Sequence, residues 1–91
     1  MRIIWRRQAL ADLRTLRDYI ARDNPPAATR TAERIRRAVT RLATFPQQGR
    51  PGRDPATREL IVTGTPYLVI YHLHHGTVQV LRILHGRQRW P

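Results

Sequence analysis

Residues able to do chemistry crowd the end of this chain. The stretch Val80-Leu81-Arg82-Ile83-Leu84-His85-Gly86-Arg87-Gln88-Arg89-Trp90-Pro91 sets one imidazole, three guanidinium groups and an indole in and after an apolar run. Guanidinium forks grip phosphate and carboxylate oxygens, and flat aromatic faces stack on bases. Such a tail suits an anionic surface, and the question is whether it cuts, binds or blocks that surface.

Metal-independent RNA cleavage needs a base for the 2′-hydroxyl proton, an acid for the leaving 5′-oxygen, and fixed cations for charge growing on the phosphoryl oxygens. His85 or Tyr71 could handle the protons, with Arg58, Arg82, Arg87 and Arg89 as cations. Strand alternation limits the set. On a regular strand Arg82 shares a face with Val80 and Leu84, while His85 shares the other with Leu81 and Ile83. The two meet only if the strand bends or ends near Leu84; Arg87 and Arg89, beyond Gly86, are freer to converge. Each candidate also has a plainer role. His85 fits a strand-end histidine held by its neighbours, Tyr67 and Tyr71 fit half-buried packing, and Trp5 fits the core. His72, His74 and His75 fall at a turn, where polar residues are routine. Trp90 either folds back on the sheet or anchors a partner.

The elements that must hold these groups follow from periodicity. Residues 2–6 read as a short strand, after which Leu10, Leu13, Leu16 and Ile20 recur at helical spacing to about Asp23. Asn24-Pro25-Pro26 breaks the chain and starts a second helix, with Asn24 as cap. That helix carries Ala28, Ala32, Ile35, Val39 and Leu42 on one stripe, so the two helices should pack as an antiparallel hairpin. Its outer face displays Arg30, Arg34, Arg36, Arg37 and Arg41 against one acid, Glu33, and reads either as a solvated face or as a stripe for an acidic partner. Residues 46–55 hold three prolines and two glycines and read as a loop. Strands are predicted over 57–62, 67–73 and 77–85, joined by Thr63-Gly64-Thr65-Pro66 and His74-His75-Gly76 as antiparallel hairpins. The expected fold is α+β: a small antiparallel sheet of about four strands with an N-terminal helical hairpin packed on it, in the order β-α-α-β-β-β.

With 91 residues the chain has room for one domain and one modest core. No apolar run approaches the roughly 18–20 residues a bilayer crossing needs, and the N-terminus lacks a secretion signal, so the expected address is the cytoplasm. Cysteine is absent, which excludes disulfides and thiolate metal sites. No metal or cofactor is expected. The 17 basic residues are all arginine and face 6 acids, a net charge of +11 that points to an anionic partner.

The order of elements, together with Ala11-Asp12-Leu13, Asp18-Tyr19-Ile20, Leu42 with Phe45-Pro46 and Gly49-Arg50, Arg58-Glu59-Leu60, Tyr67-Leu68-Val69-Ile70-Tyr71 and the closing stretch from Val80 to Arg87, resembles the RelE/ParE superfamily of type II toxin–antitoxin toxins over nearly the whole chain. The resemblance implies a helical hairpin on a small sheet and a cognate ParD/RelB-like antitoxin whose acidic tail folds on binding. Arg30, Arg34, Arg37 and Arg41 are the candidate antitoxin contacts. RelE-like members cut mRNA on the ribosome using lysines, arginines and often a tail tyrosine; ParE-like members poison DNA gyrase. Arg87 matches the post-strand arginine and Arg58 only approximates the other. The lysines and the tail tyrosine are missing, and arginine cannot inherit an acid–base role because it stays charged. The ending resembles ParE-type chains, so the expected activity is gyrase poisoning through contacts by Arg82, Arg87, Arg89 and Trp90. An RNase using His85, Arg87, Arg58 and Tyr71 is the alternative, and a degenerate member that only binds antitoxin the third reading.

Overall fold

The computed structural model describes residues 1–88. Strand β1 (Arg2–Trp5) leads into helices α1 (Arg7–Ala21) and α2 (Pro25–Arg41), followed by β2 (Arg50–Pro51), β3 (Arg58–Ile61), β4 (Tyr67–His74) and β5 (Thr77–His85). The helical hairpin turns as the sequence dictates: the Asn24 side chain accepts from the Ala27 N–H, and Pro25 and Pro26 occupy first-turn positions that need no donor. The α+β fold, with its helical hairpin between a first strand and the later ones, is that predicted.

The sheet differs from expectation in two respects. It has five strands in the order β1-β5-β4-β3-β2, and it is mixed, because β1 runs parallel to β5. A parallel neighbour needs a long crossover, which the chain between β1 and β5 supplies. The fifth strand is the two-residue β2, inside the stretch read as loop, which pairs Arg50 with Glu59 and Pro51 with Arg58.

One helix face also needs correction. Leu10 is 50% exposed, and Ala9 takes its place in the buried stripe with Leu13 and Leu16. From α2, Ala32, Ile35 and Val39 meet Leu60, Val62, Val69, Tyr71, Val78, Val80 and Ile83 from the sheet, and Trp5 packs half-buried at the margin. The central strands β4 and β5 bury residues on both faces, Val69 and Val80 within the core and Ile70 and Leu84 outside it.

A bulge breaks the alternation of β5. Ile70 pairs with Arg82 and Tyr71 with Val80, so Leu81 has no opposite residue. One extra residue flips the side-chain faces beyond it. Val80 and Ile83 therefore both reach the core under the helices, and Arg82 does not share a face with Val80 as a regular strand would require. Arg82 and His85 still lie an odd number of residues apart and remain on opposite faces.

Candidate functional site

Arg82 is drawn into the structure of the protein. Its Nε and Nη2 meet the two Asp12 oxygens at 2.8 and 3.2 Å, and Asp12 Oδ2 also accepts the Ile83 N–H at 2.9 Å. Strand β1 ends opposite Val80, and past that point Asp12 of α1 satisfies the backbone of β5. The Asp12 carboxylate raises the Arg82 pKa above its usual value, chiefly through its hydrogen bond, with burial opposing the shift. Asp12 stood in the residues carrying the family resemblance, but nothing in its local pattern singled it out as a partner for a group 70 positions away.

Tyr71 and Arg58 stand opposite each other on β4 and β3 and hold the same loop. The fully buried Tyr71 hydroxyl donates to the Pro46 carbonyl at 2.7 Å and accepts from the Gly49 N–H at 2.9 Å. Arg58 Nη1 donates to the carbonyls of Gly49 at 2.7 Å and Gln47 at 3.3 Å. Burial pushes the Tyr71 pKa above its ordinary 10.0, partly offset by the Gly49 N–H and the Arg58 charge. Gly49 has no room for a side chain, since a Cβ there would sit 2.7 Å from the tyrosine ring and hydroxyl. Both side chains are thus occupied in fixing the chain at 46–49.

His85 closes the far end of β5. Its ring meets Tyr67 edge-on at 5.7 Å, and its Nδ1 accepts from the Arg87 N–H at 3.2 Å. Gln88 ties the turn down by accepting from the His85 N–H and donating its own N–H to the His85 carbonyl. Beside them Asp12, Thr15, Tyr19, Tyr67, His85 and Gln88 line a cleft of about 440 Å³. Tyr67, opposite His85, lies four strand residues from Tyr71, roughly 13 Å at about 3.4 Å each. Arg87 is exposed just past the strand. Arg89 and Trp90 lie outside the described residues.

The arginines of α2 do come together. Arg34, Arg37 and Arg41 line a groove of about 290 Å³ whose other wall is Leu60, Ile61, Val62 and Thr63 of β3 and its turn. Arg34 Nη1 donates to the Thr63 carbonyl at 3.2 Å, and Arg41 stacks over Phe45 at 6.0 Å. Arg41 and Gln48 also line a second hollow, of about 550 Å³, with Phe45, Pro46 and Gln47. Arg30 does not line the groove, although it is exposed on the same helix. Arg36 pairs instead with Glu33 at 3.7 Å. Among the described residues no three His, Asp or Glu side chains converge as a metal ion would need, and no helix is long and apolar enough to cross a membrane.

These features define a small α+β protein with an arginine-rich surface, in which the side chains suited to proton chemistry are mostly engaged in holding the fold. The family model for the ParE toxin of the type II toxin–antitoxin system parDE matches residues 3–90, and the chain belongs to that family. It is 42% identical to Y4kP of Sinorhizobium fredii over 90 residues, covering 99% of this chain and 93% of the relative. It is 40% identical to the toxin RelE2 of Caulobacter vibrioides over 84 residues, 92% and 93% of the two chains. Among solved structures it resembles the chromosomal ParDE system from P. aeruginosa, with a TM-score of 0.86, 27% identity and coverage of 93% of this chain and 95% of that one. The chain is therefore a toxin of the RelE/ParE superfamily, and membership of a toxin–antitoxin system implies an antitoxin partner.

Proposed function

We propose that this toxin arrests growth by binding DNA gyrase and breaks no bond itself. The observation that carries this reading is the separation of the groups an RNase would need. Tyr71 is buried with its hydroxyl used twice, Arg58 is bound to two loop carbonyls, and His85 sits against Tyr67, four residues along β4 from Tyr71. A general base must come within hydrogen-bond reach of the proton it removes, and these groups share no such point. Arg82 is held by Asp12, which leaves Arg87 as the exposed cation of the described tail. The cognate antitoxin neutralises the toxin by covering part of its positive surface. The toxin acts in the cytoplasm, where its target is.

Two assays on the purified, antitoxin-free chain test this reading. Accumulation of cleaved DNA in the presence of gyrase, with intact mRNA on translating ribosomes, is the expected pair of results. Cut mRNA with no trapped gyrase cleavage would replace this reading with the ribosome-dependent RNase.

A further inference from the structure

The two helices cover one face of the sheet and leave the other open. Ile3, Trp5, Tyr71, Val78 and Val80 belong to the core beneath the helices or pack against it, so the residues alternating with them on β1, β5 and β4 share the opposite face. Two rows cross the three strands there, Arg2–Thr77–His74 and Ile4–Gln79–His72. Arg6 extends the set. Its N–H donates to the Val80 carbonyl, which continues the ladder, and its Nη1 donates to Gln79 Oε1 at 3.0 Å. The rings of His72 and His74 lie nearly parallel with centroids 5.7 Å apart, as expected of two side chains on one side of β4. Arg2, Arg6 and His74 are exposed, and β1, β4 and β5 contain no Asp or Glu to neutralise them.

We infer that this corner of the open face is a phosphate-binding surface for duplex DNA, with Arg2 and Arg6 as its charged contacts and His74 as a hydrogen-bonding one. Neighbouring strands lie about 4.8 Å apart and residues rise about 3.3 Å along each, so the patch measures roughly 10 Å from Arg2 to His74 and roughly 13 Å from Arg2 to Arg6. Successive phosphates of one DNA strand advance about 3.4 Å along the helix axis, and the longer side therefore spans about four of them. The composition favours a phosphate backbone over a protein. Protein interfaces centre on bulky side chains that fill pockets, whereas Ile4, the apolar member of the rows, is half-buried in a flat sheet. Phosphates require only charge and donors, which guanidinium groups and an imidazole supply. A flat sheet face sends no helix or ribbon into either groove, so the binding is to the backbone and independent of sequence. The inference deepens the gyrase reading and takes from it the choice of DNA: the toxin touches the DNA that gyrase holds as well as the enzyme.

The test uses the full, antitoxin-free chain and a labelled duplex of roughly 20 base pairs, about two helical turns, followed by fluorescence anisotropy across a salt series. Arg2→Gln with Arg6→Gln should weaken binding roughly tenfold and lower the slope of log K against log salt by about two, each lost phosphate contact contributing about 0.9. Arg17→Gln with Arg22→Gln removes the same charge from exposed positions of α1 and its C-cap, and should change the slope little. The unsubstituted chain supplies a readout that depends on no variant: added duplex should shift the ring nitrogen signals of His72 and His74 and leave those of His85, at the far end of β5, in place. Equal losses in the two double variants, or ring shifts confined to His85, would overturn the inference. Tighter binding of polyglutamate than of the duplex at equal charge, lost in Arg2→Gln with Arg6→Gln, would overturn it too and give the surface to an acidic protein. Duplex binding at this patch by a chain that traps no cleaved DNA with gyrase would support the surface and defeat the gyrase reading, so the two are told apart.

Discussion

The Tyr71 hydroxyl fixes a loop that would otherwise have few ties to the sheet, and its removal should show in stability. Tyr71→Phe leaves the buried Gly49 N–H and the Pro46 carbonyl without their partner, at a cost of about 1–3 kcal/mol in urea denaturation. The same burial gives an alkaline limit. Tyr71 and Tyr67 hold their protons above the ordinary 10.0 when folded, both chiefly through desolvation. Above that pH the unfolded chain loses tyrosine protons that the folded chain keeps, so stability is intact below about pH 10 and falls as pH rises further. Tyr71→Phe should flatten that fall, measured as denaturation midpoints across the alkaline range. Arg87 is exposed beyond the last strand, and Arg89 lies outside the described residues. Arg87→Ala with Arg89→Ala should reduce growth inhibition while leaving the circular dichroism spectrum unchanged. Undiminished inhibition at equal expression would remove the tail from the target-binding surface.

At the scale of elements, α1 and β5 are joined by the Asp12 carboxylate, which accepts three hydrogen bonds from β5, two from Arg82 and one from the Ile83 backbone, besides one from Gln8 of its own helix. Asp12→Ala leaves a half-buried guanidinium and a strand N–H unsatisfied, and should cost about 2–3 kcal/mol by denaturant titration. The cost should be larger than that of Glu33→Ala, whose pair with Arg36 is about half exposed on both sides and 3.7 Å long. The turn between β3 and β4 is constrained in a similar way. Gly64 has a φ of 81°, and a side chain there would collide with the Arg34 guanidinium. This arginine is thus fixed above the β3 turn, while Arg37 and Arg41 remain available along the groove.

Over the whole molecule three of the six acids are spent on nearby arginines. Asp12 and Glu59 face Arg82 and Arg50, and Glu33 faces Arg36, so the remaining surface is strongly positive against a total of 17 arginines. Association with an acidic partner should be steered by this field and slow as salt screens it. Raising salt from about 0.05 to about 0.5 M should lower the association rate roughly tenfold or more in stopped-flow measurements. A rate independent of salt would mean that apolar contacts, not the arginines, govern encounter.

Local regularities were legible without coordinates: the helical hairpin from the repeat of Leu13, Leu16, Ala28, Ile35 and Val39, its break at Asn24-Pro25-Pro26, the three later strands, the hairpin turn at His75-Gly76, and the charge. Each depends on neighbours within a turn or a strand, and that range is what sequence periodicity records. The family resemblance likewise came from residues in order along the chain. Pairing across the chain was decided only by tertiary structure. No local signal reveals that β1 lies parallel to β5, that Leu81 bulges and changes which side chains share a face, or that Asp12 claims Arg82. The same holds for Tyr71 and Arg58, two of the candidates for proton and phosphate chemistry, whose partners in the loop at 46–49 no local pattern reveals. The arginines of α2 were visible as a stripe from the start, but their position across a groove from β3 required the sheet to be assembled, because a groove exists only once both its walls are placed.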